Sequence, residues 1–233
     1  MLRLALPVLA EQSLVMLVGL SDQMLTGRYF DAAHLAAINL MVYLLWMLAS
    51  LSVVIGIGAT AMTARFVGAK DFQSARHLTN QAILLGAGLS IVVTIAGLLG
   101  KDTLISVMQL RGEAAALASH FLSFIFPVLP FLMLTSVGTA CLRGAGDMTA
   151  GLMTMALVNV INIAVSWSLV LGLGPLPKLG WTGLAVGTAT GSFLASKWTV
   201  DKGAAAVRRV VVVIAVLSLL EQIVQILLLL SRR

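Results

Sequence analysis

The stretch from Leu78 to Leu99, LTNQAILLGAGLSIVVTIAGLL, decides how this chain folds. No charged side chain interrupts it. About 20 apolar residues are enough to cross the ~30 Å hydrocarbon core of a bilayer. In lipid, backbone N–H and C=O groups have no water to bond, so they must pair within their own segment. A barrel strand would alternate apolar and polar residues over about ten positions. Ile83-Leu84-Leu85 and Ile91-Val92-Val93 do not alternate. The stretch is a transmembrane helix.

Similar runs lie on either side. A first span, Leu4 to Leu25, contains Glu11, Gln12 and Asp22. The second runs from Leu35 to Ala64 and the fourth from Ala116 to Leu142, the latter with Pro127 and Pro130 inside it. The fifth covers Gly151 to Leu173 and the sixth Trp181 to Ala195. A seventh apolar run, Val207 to Leu230, follows a polar linker holding Lys197, Asp201 and Lys202. The expected fold is therefore an all-α membrane protein: a six-helix transmembrane bundle with a seventh, C-terminal apolar helix. Its expected divisions are a lobe over 1–195, a linker over 196–206 and the start of a second lobe over 207–233.

Composition agrees with this. Hydrophobic residues are 60% of 233 positions and charged residues 10%, with a mean hydropathy of +1.04. Soluble domains carry about 25% charged residues. The formal charge of +6 is spread between the apolar runs and forms no basic arm or stripe, so no nucleic-acid partner is expected. The N-terminal stretch runs past Pro7 and Glu11 without a small-residue cleavage site, unlike a cleaved signal peptide. Cys141 is the single cysteine, and His34, His77 and His120 are dispersed, so no disulfide within the chain and no metal site is expected. HExxH, GxSxG and GxxxxGK[ST] patterns are missing, which argues against an enzyme or an ATP-driven pump.

Loop charges set the orientation. With the N-terminus inside, Arg3, Arg65, Lys70, Arg76, Arg143, Lys197, Lys202, Arg208 and Arg209 face the cytoplasm. Arg28, Lys101, Arg111, Lys178, Arg232 and Arg233 lie outside. Lysines and arginines concentrate on the cytoplasmic side of membrane proteins, so an N-in protein of the cell membrane is expected.

The chemistry rests with polar groups inside the spans. A charge at a helix centre costs about 2.5–3.5 kcal/mol on insertion scales, so it needs a partner or a polar cavity. Glu11 and Asp22 are eleven residues apart, about three turns, and share one face of the first span. A carboxyl on a bundle-facing wall can hold a proton or Na⁺ and exchange one for the other as its surroundings change. Glu11 with Gln12 also reads as a hydrogen-bonding pair between helices. Asn159 and Asn162 share a face of the fifth span, and Ser166 continues it. They read either as helix–helix contacts or as a polar wall opposite Asp22. Pro127 and Pro130 should kink the fourth span, as a hinge or as a static bend. Gly56-Ile57-Gly58-Ala59 and Gly183-Leu184-Ala185-Val186-Gly187 permit close helix approach. A basic start, an apolar run and Glu-Gln recur at Arg3 to Gln12 and at Arg209 to Gln222, as if a second repeat began near Arg208.

Three places resemble the multidrug and toxic compound extrusion (MATE) family. They are Leu6-Pro7 through Asp22 to Gly27-Arg28, Gly58-Ala59 through Arg65 to Gly68-Ala69-Lys70-Asp71, and Leu142-Arg143-Gly144-Ala145-Gly146-Asp147-Met148 followed by Asn159, Asn162 and Leu179-Gly180-Trp181-Thr182-Gly183-Leu184-Ala185. The resemblance covers about residues 2–195. It implies two six-helix lobes around a cavity, and export of cationic or amphipathic small molecules in exchange for H⁺ or Na⁺, with no other cofactor. It also implies that Asp22 holds the cation-coupling position of the first helix. Some members carry an acid one turn after the second asparagine, where this chain has Ser166. Glu221 resembles an acidic position on the seventh helix of other members. The chain holds one lobe and the start of another, so it is expected to be an inactive fragment, a shortened product, or a half that needs a second lobe or second chain. A flippase for lipid-linked sugars has a related architecture, but it would call for intramembrane Lys or Arg.

Overall fold

The computed structural model of the chain describes residues 2–172 and 178–203, and every regular element among them is helical. The helices are α1 (Leu2–Tyr29), α2 (Ala32–Gly68), α3 (Phe72–Val107), α4 (Gly112–Ile125), α5 (Leu129–Gly144), α6 (Met148–Leu171) and α7 (Thr182–Gly203). A 3₁₀ turn, Phe126–Val128, joins α4 to α5, so these two are halves of one span. Among the described residues, four stretches are long and apolar enough to cross a membrane: Ala32–Gly68, Phe72–Val107, Gly112–Gly144 and Gly151–Leu171. The chain is an all-α membrane protein, as expected. The seventh apolar run, the end of the linker and Glu221 lie outside the described residues.

The helices outrun the apolar stretches that predicted them. Hydropathy marks where lipid begins, whereas a helix ends where capping chemistry stops it. Asp31 caps α2 by accepting the His34 backbone N–H, and Asp71 caps α3 by accepting that of Ser74. Lys70 ends α2 with φ of 60°, and the Asp71 N–H returns to the Phe66 carbonyl at 2.9 Å. Gly146, with φ of 93°, closes α5 in the same way. Hydrogen bonds from His34 hold the Asp31 carboxyl below the usual carboxylate range, and bonds from Ser74 do the same for Asp71. Each depressed value contributes stability above the unfolded carboxyl's range and loses it only as pH falls through the folded value. Both caps therefore survive mild acid. The linker expected from residue 196 is likewise helical as far as Gly203. Lys197 and Asp201 mark a polar boundary there, not a break in the backbone.

The kinked span α4–α5 is the centre of the bundle. In its most apolar window 83% of residues are buried, against 22% for α2. Phe121, Leu122, Phe124, Ile125 and Leu129 pack with Leu25, Ile38, Met41 and Leu184 in the larger of two apolar clusters. Outward-facing Trp46, Val54, Leu85, Val92 and Leu99 are exposed, as lipid-facing residues should be. Such packing is held by close contact, because lipid is as apolar as leucine.

The bend at the centre has an identifiable cause. Pro130 has no N–H to give the Phe126 carbonyl four residues back. That carbonyl accepts instead the Leu129 N–H and, from α3, the Thr94 hydroxyl at 3.1 Å. Gly97, one turn further along α3, leaves room for the Phe126 ring. Of the two readings of the prolines, a static, supported bend fits these contacts. Replacing Thr94→Val should remove the cross-helix bond while keeping the side chain's shape. A loss of about 1 kcal/mol in stability is expected. It should appear as a lower thermal unfolding midpoint in detergent, and a wild-type midpoint would deny Thr94 this role.

Candidate functional site

Two polar stripes face each other inside the bundle. On α1, Glu11 and Asp22 lie on the same buried line as Leu25, with the half-buried Leu14 and Val18 between them. On α6, Gly151, Thr154, Asn159, Asn162 and Ser166 are all buried, whereas Met153 and Val160 are exposed. The α6 sequence contains no ionisable side chain. α6 therefore brings no charge of its own to the seam.

Two contacts fix how α1 and α6 align. Glu11 sits beside Gly151, where a Cβ would come within 2.8 Å of its Oε2. Further along, the Trp167 indole N–H donates to the Ser21 hydroxyl at 3.1 Å. Contacts that advance together on both helices mean that the helices run parallel. Asp22, next to Ser21, is thus level with the α6 turns that carry Asn162, Ser166 and Trp167.

Asp22 is 7% exposed, and its Oδ1 has no hydrogen-bond partner. The Asn159 amide donates to the Met155 carbonyl at 2.7 Å, leaving its own Oδ1 unpartnered. Asn162 donates to the Thr188 hydroxyl of α7 at 3.1 Å, and Ser166 donates to the Asn162 Oδ1 at 3.5 Å. Each amide thus has one N–H engaged away from Asp22. The buried side-chain atoms left without a partner along the seam, Glu11 Oε2, Asp22 Oδ1 and Asn159 Oδ1, are acceptor oxygens, which suit a proton or a metal cation better than an anion.

Glu11 is 3% exposed, and its Oε1 lies 3.5 Å from the Arg143 guanidinium. Gln12 is exposed, so the expected Glu11–Gln12 pairing between helices does not form. Arg143 was not singled out as a partner by sequence. It looks like an ordinary turn residue, and only the folded path brings α5 back to α1. Ser21–Trp167 was hidden for the same reason. At the other end of α1, Phe30, His34, Phe121 and Trp181 form a ring cluster with centroids 5.0–6.0 Å apart. Among the described residues no group of His, Cys, Asp or Glu could hold a metal ion.

The MatE family model matches residues 7–168, a stretch that holds the whole of this seam. The chain belongs to the MatE family. Among curated MatE relatives, the probable multidrug resistance protein NorM of Thermotoga maritima is 28% identical over 195 residues, which is 83% of this chain and 42% of that protein. The multidrug export protein MepA of Staphylococcus aureus is 26% identical over 196 residues, 84% of this chain and 43% of that protein. The chain thus spans less than half the length of these relatives. Two solved structures superpose with a TM-score of 0.77 at 26% identity, each over 85% of this chain and 43% of theirs. One is a MOP superfamily transporter from Pyrococcus furiosus, described as having a binding pocket of reversed polarity. The other is the outward-facing form of a multidrug resistance MATE family transporter.

The MatE seam depends on how closely α7 approaches α6. A Cβ at Gly187 would overlap the Ser166 hydroxyl and lie 3.0 Å from the Ser166 N and 3.1 Å from the Asn162 carbonyl. Gly183 and Gly191 make similar contacts one turn either side. Gly187→Ala should therefore push α7 away and pull on the Asn162–Thr188 bond. Overpacking of this kind costs about 1–3 kcal/mol. The expected result is a lower unfolding midpoint in detergent, partly recovered by adding Ser166→Ala. An unshifted midpoint would mean that the two helices can part freely.

Proposed function

We propose that this chain forms a cation-coupling lobe of a multidrug exporter, which expels cationic or amphipathic small molecules in exchange for H⁺ or Na⁺. Asp22 is the coupling carboxyl, and Asn159, Asn162 and Ser166 are its neutral polar wall. The observation that supports this reading is the burial of Asp22 with an unpartnered carboxylate oxygen, next to the Ser21 that bonds α6 through Trp167. A charge kept from water with incomplete hydrogen bonding is costly unless something neutralises it. A proton or Na⁺ does so, and its release when the site opens to water ties the carboxyl to an ion gradient. The family membership and the names of the relatives support multidrug export as the process so driven. No motif for ATP hydrolysis competes with a gradient as energy source.

Export also needs a second wall for the substrate. The chain covers 42–43% of the relatives' length, so in this reading a second lobe or a second chain completes the cavity. The protein is taken to lie in the cell membrane with its N-terminus inside, as its loop charges favour. The sugar-flippase alternative finds no support in α6, which carries no basic residue.

Proteoliposomes with an imposed pH or Na⁺ gradient test the proposal. The parent chain should move a fluorescent organic cation in a gradient-dependent way, and Asp22→Asn should reduce that flux about tenfold or more. The amide keeps the shape but cannot give up a proton or balance a cation. Unchanged coupled flux in the variant would remove Asp22 from the mechanism. A parent chain without gradient-dependent flux would overturn transport by this chain alone, and crosslinking in membranes would then show whether a dimer forms at all.

A further inference from the structure

Glu11 remains unexplained by a mechanism built on Asp22. It is a second carboxyl on the same buried stripe of α1, three turns away and more deeply enclosed, at 3% exposure. Its environment differs from that of Asp22 in one respect: it has a cationic neighbour.

The contact with that neighbour is a long one. Charge-assisted N–H···O bonds are about 2.7–2.9 Å long. The Arg143 Nη2 stands 3.5 Å from Oε1, and a single nitrogen makes the approach. The Arg143 Nε donates at 3.4 Å to the Thr139 carbonyl on its own helix, which holds the guanidinium to α5. The arginine side chain is 27% exposed and that of Glu11 4%. The guanidinium thus borders water while the carboxylate is enclosed.

The second carboxylate oxygen completes the picture. Oε2 is buried without a hydrogen-bond partner and rests against Gly151 at the start of α6. A methyl group at position 151 would occupy the carboxyl's place, so the glycine gives it room. A buried bridge stabilises most when both oxygens are engaged, since leaving one orphaned works against stability. Here Oε1 stands 3.5 Å from the guanidinium and Oε2 has no hydrogen-bond partner. Other charged or titratable groups at this end of the bundle, Arg65 on α2, Lys70 and Asp71 in the following turn, Arg76 and His77 on α3, Asp147 in the turn before α6 and Lys197 on α7, are exposed. α6 offers none, and the remaining acid on α1 is Asp22.

We propose that Glu11 is a second cation-holding site, in which a proton or Na⁺ competes with the Arg143 guanidinium for the carboxylate at the α5–α6 end of the seam. This rests on the reading of that seam as the cation-coupled part of the lobe. With the guanidinium close, the site is neutral and closed. When it moves out toward water, the carboxylate takes a small cation in its stead. Arg143 acts here through Glu11 and is a positioning residue.

Infrared difference spectra of the full chain in lipid vesicles test this. NaCl is added at fixed pH to a choline-buffered sample, and a separate Na⁺-free sample is acidified. A carboxyl signal responding in at least one arm should be absent from Glu11→Gln and present in Asp22→Asn, and the responding arm identifies the cation. Neutralising Arg143 (Arg143→Gln, or Arg143→Met where the amide variant does not fold) should lower the cation concentration at half-saturation roughly two- to fivefold, the range for a partly exposed ion pair. Arg143→Lys should stay near the parent. No Glu11-dependent response in either arm, or unchanged half-saturation in the neutral variant, overturns the proposal. A missing Asp22 signal beside an intact Glu11 signal would instead unseat the Asp22 reading and leave this site standing.

Discussion

Gly183, Gly187 and Gly191 bring α7 almost to backbone contact with α6, and this close approach determines the character of the lobe's interior. In lipid, helices gain little from hiding apolar surface against one another, so contact distance and hydrogen bonding decide which faces meet. With α7 this near, Asn162 reaches Thr188, and Ser166 is sealed against a glycine. The polar side of α6 then has only protein to face, and its exposed side is left with residues such as Met153 and Val160. A larger residue in that glycine row would force the helices apart and open the polar stripe to lipid, where it is costly.

The same geometry separates the two acids on α1. They share a helix face, and they face a helix without a charge of its own. Their difference comes from the third element at each level. Beside Glu11, the end of α5 delivers a guanidinium. Around Asp22, the nearby fixed contact is the neutral Ser21–Trp167 bond, and the end of the bundle beyond it is filled by the rings of Phe30, His34, Phe121 and Trp181. One carboxyl has a cation built into its surroundings, and the other has none within its described contacts. In the proposed reading, two carboxyls on one helix face are set to different tasks by their neighbours.

Much of this was legible in the sequence. A carboxylate inside an apolar run stands out because its cost in lipid demands an explanation, so Asp22 and Glu11 are candidates from the sequence alone, and both are buried in the fold. The i, i+3 spacing of Asn159 and Asn162 placed them on one face. The partners were not legible, because they are set by the fold and not by local pattern. Arg143 is 132 residues from Glu11 and Trp167 is 146 from Ser21. Helix ends were not legible wherever polar residues continue a helix beyond the lipid boundary, as in α7 up to Gly203. Gln12 was paired with Glu11 because the two are adjacent, yet neighbours in a helix point about 100° apart. One turned inward and the other outward.

The distribution of burial bears on what a lobe of this size can do. The central span α4–α5 is almost wholly enclosed by the other helices, so the described helices have a core of their own. The polar seam between α1 and α6 is also internal to them. In the proposed reading, a substrate cavity would instead be formed by surfaces that this chain supplies on one side only, since it spans less than half of its relatives. Ion binding and substrate movement are then separable properties. In the proposed reading, protonation or Na⁺ binding at Asp22 and Glu11 needs nothing beyond the described helices, whereas flux needs a second wall. A chain that binds the coupling ion but moves no drug would therefore locate the missing function in the partner, and leave the chemistry of the seam intact.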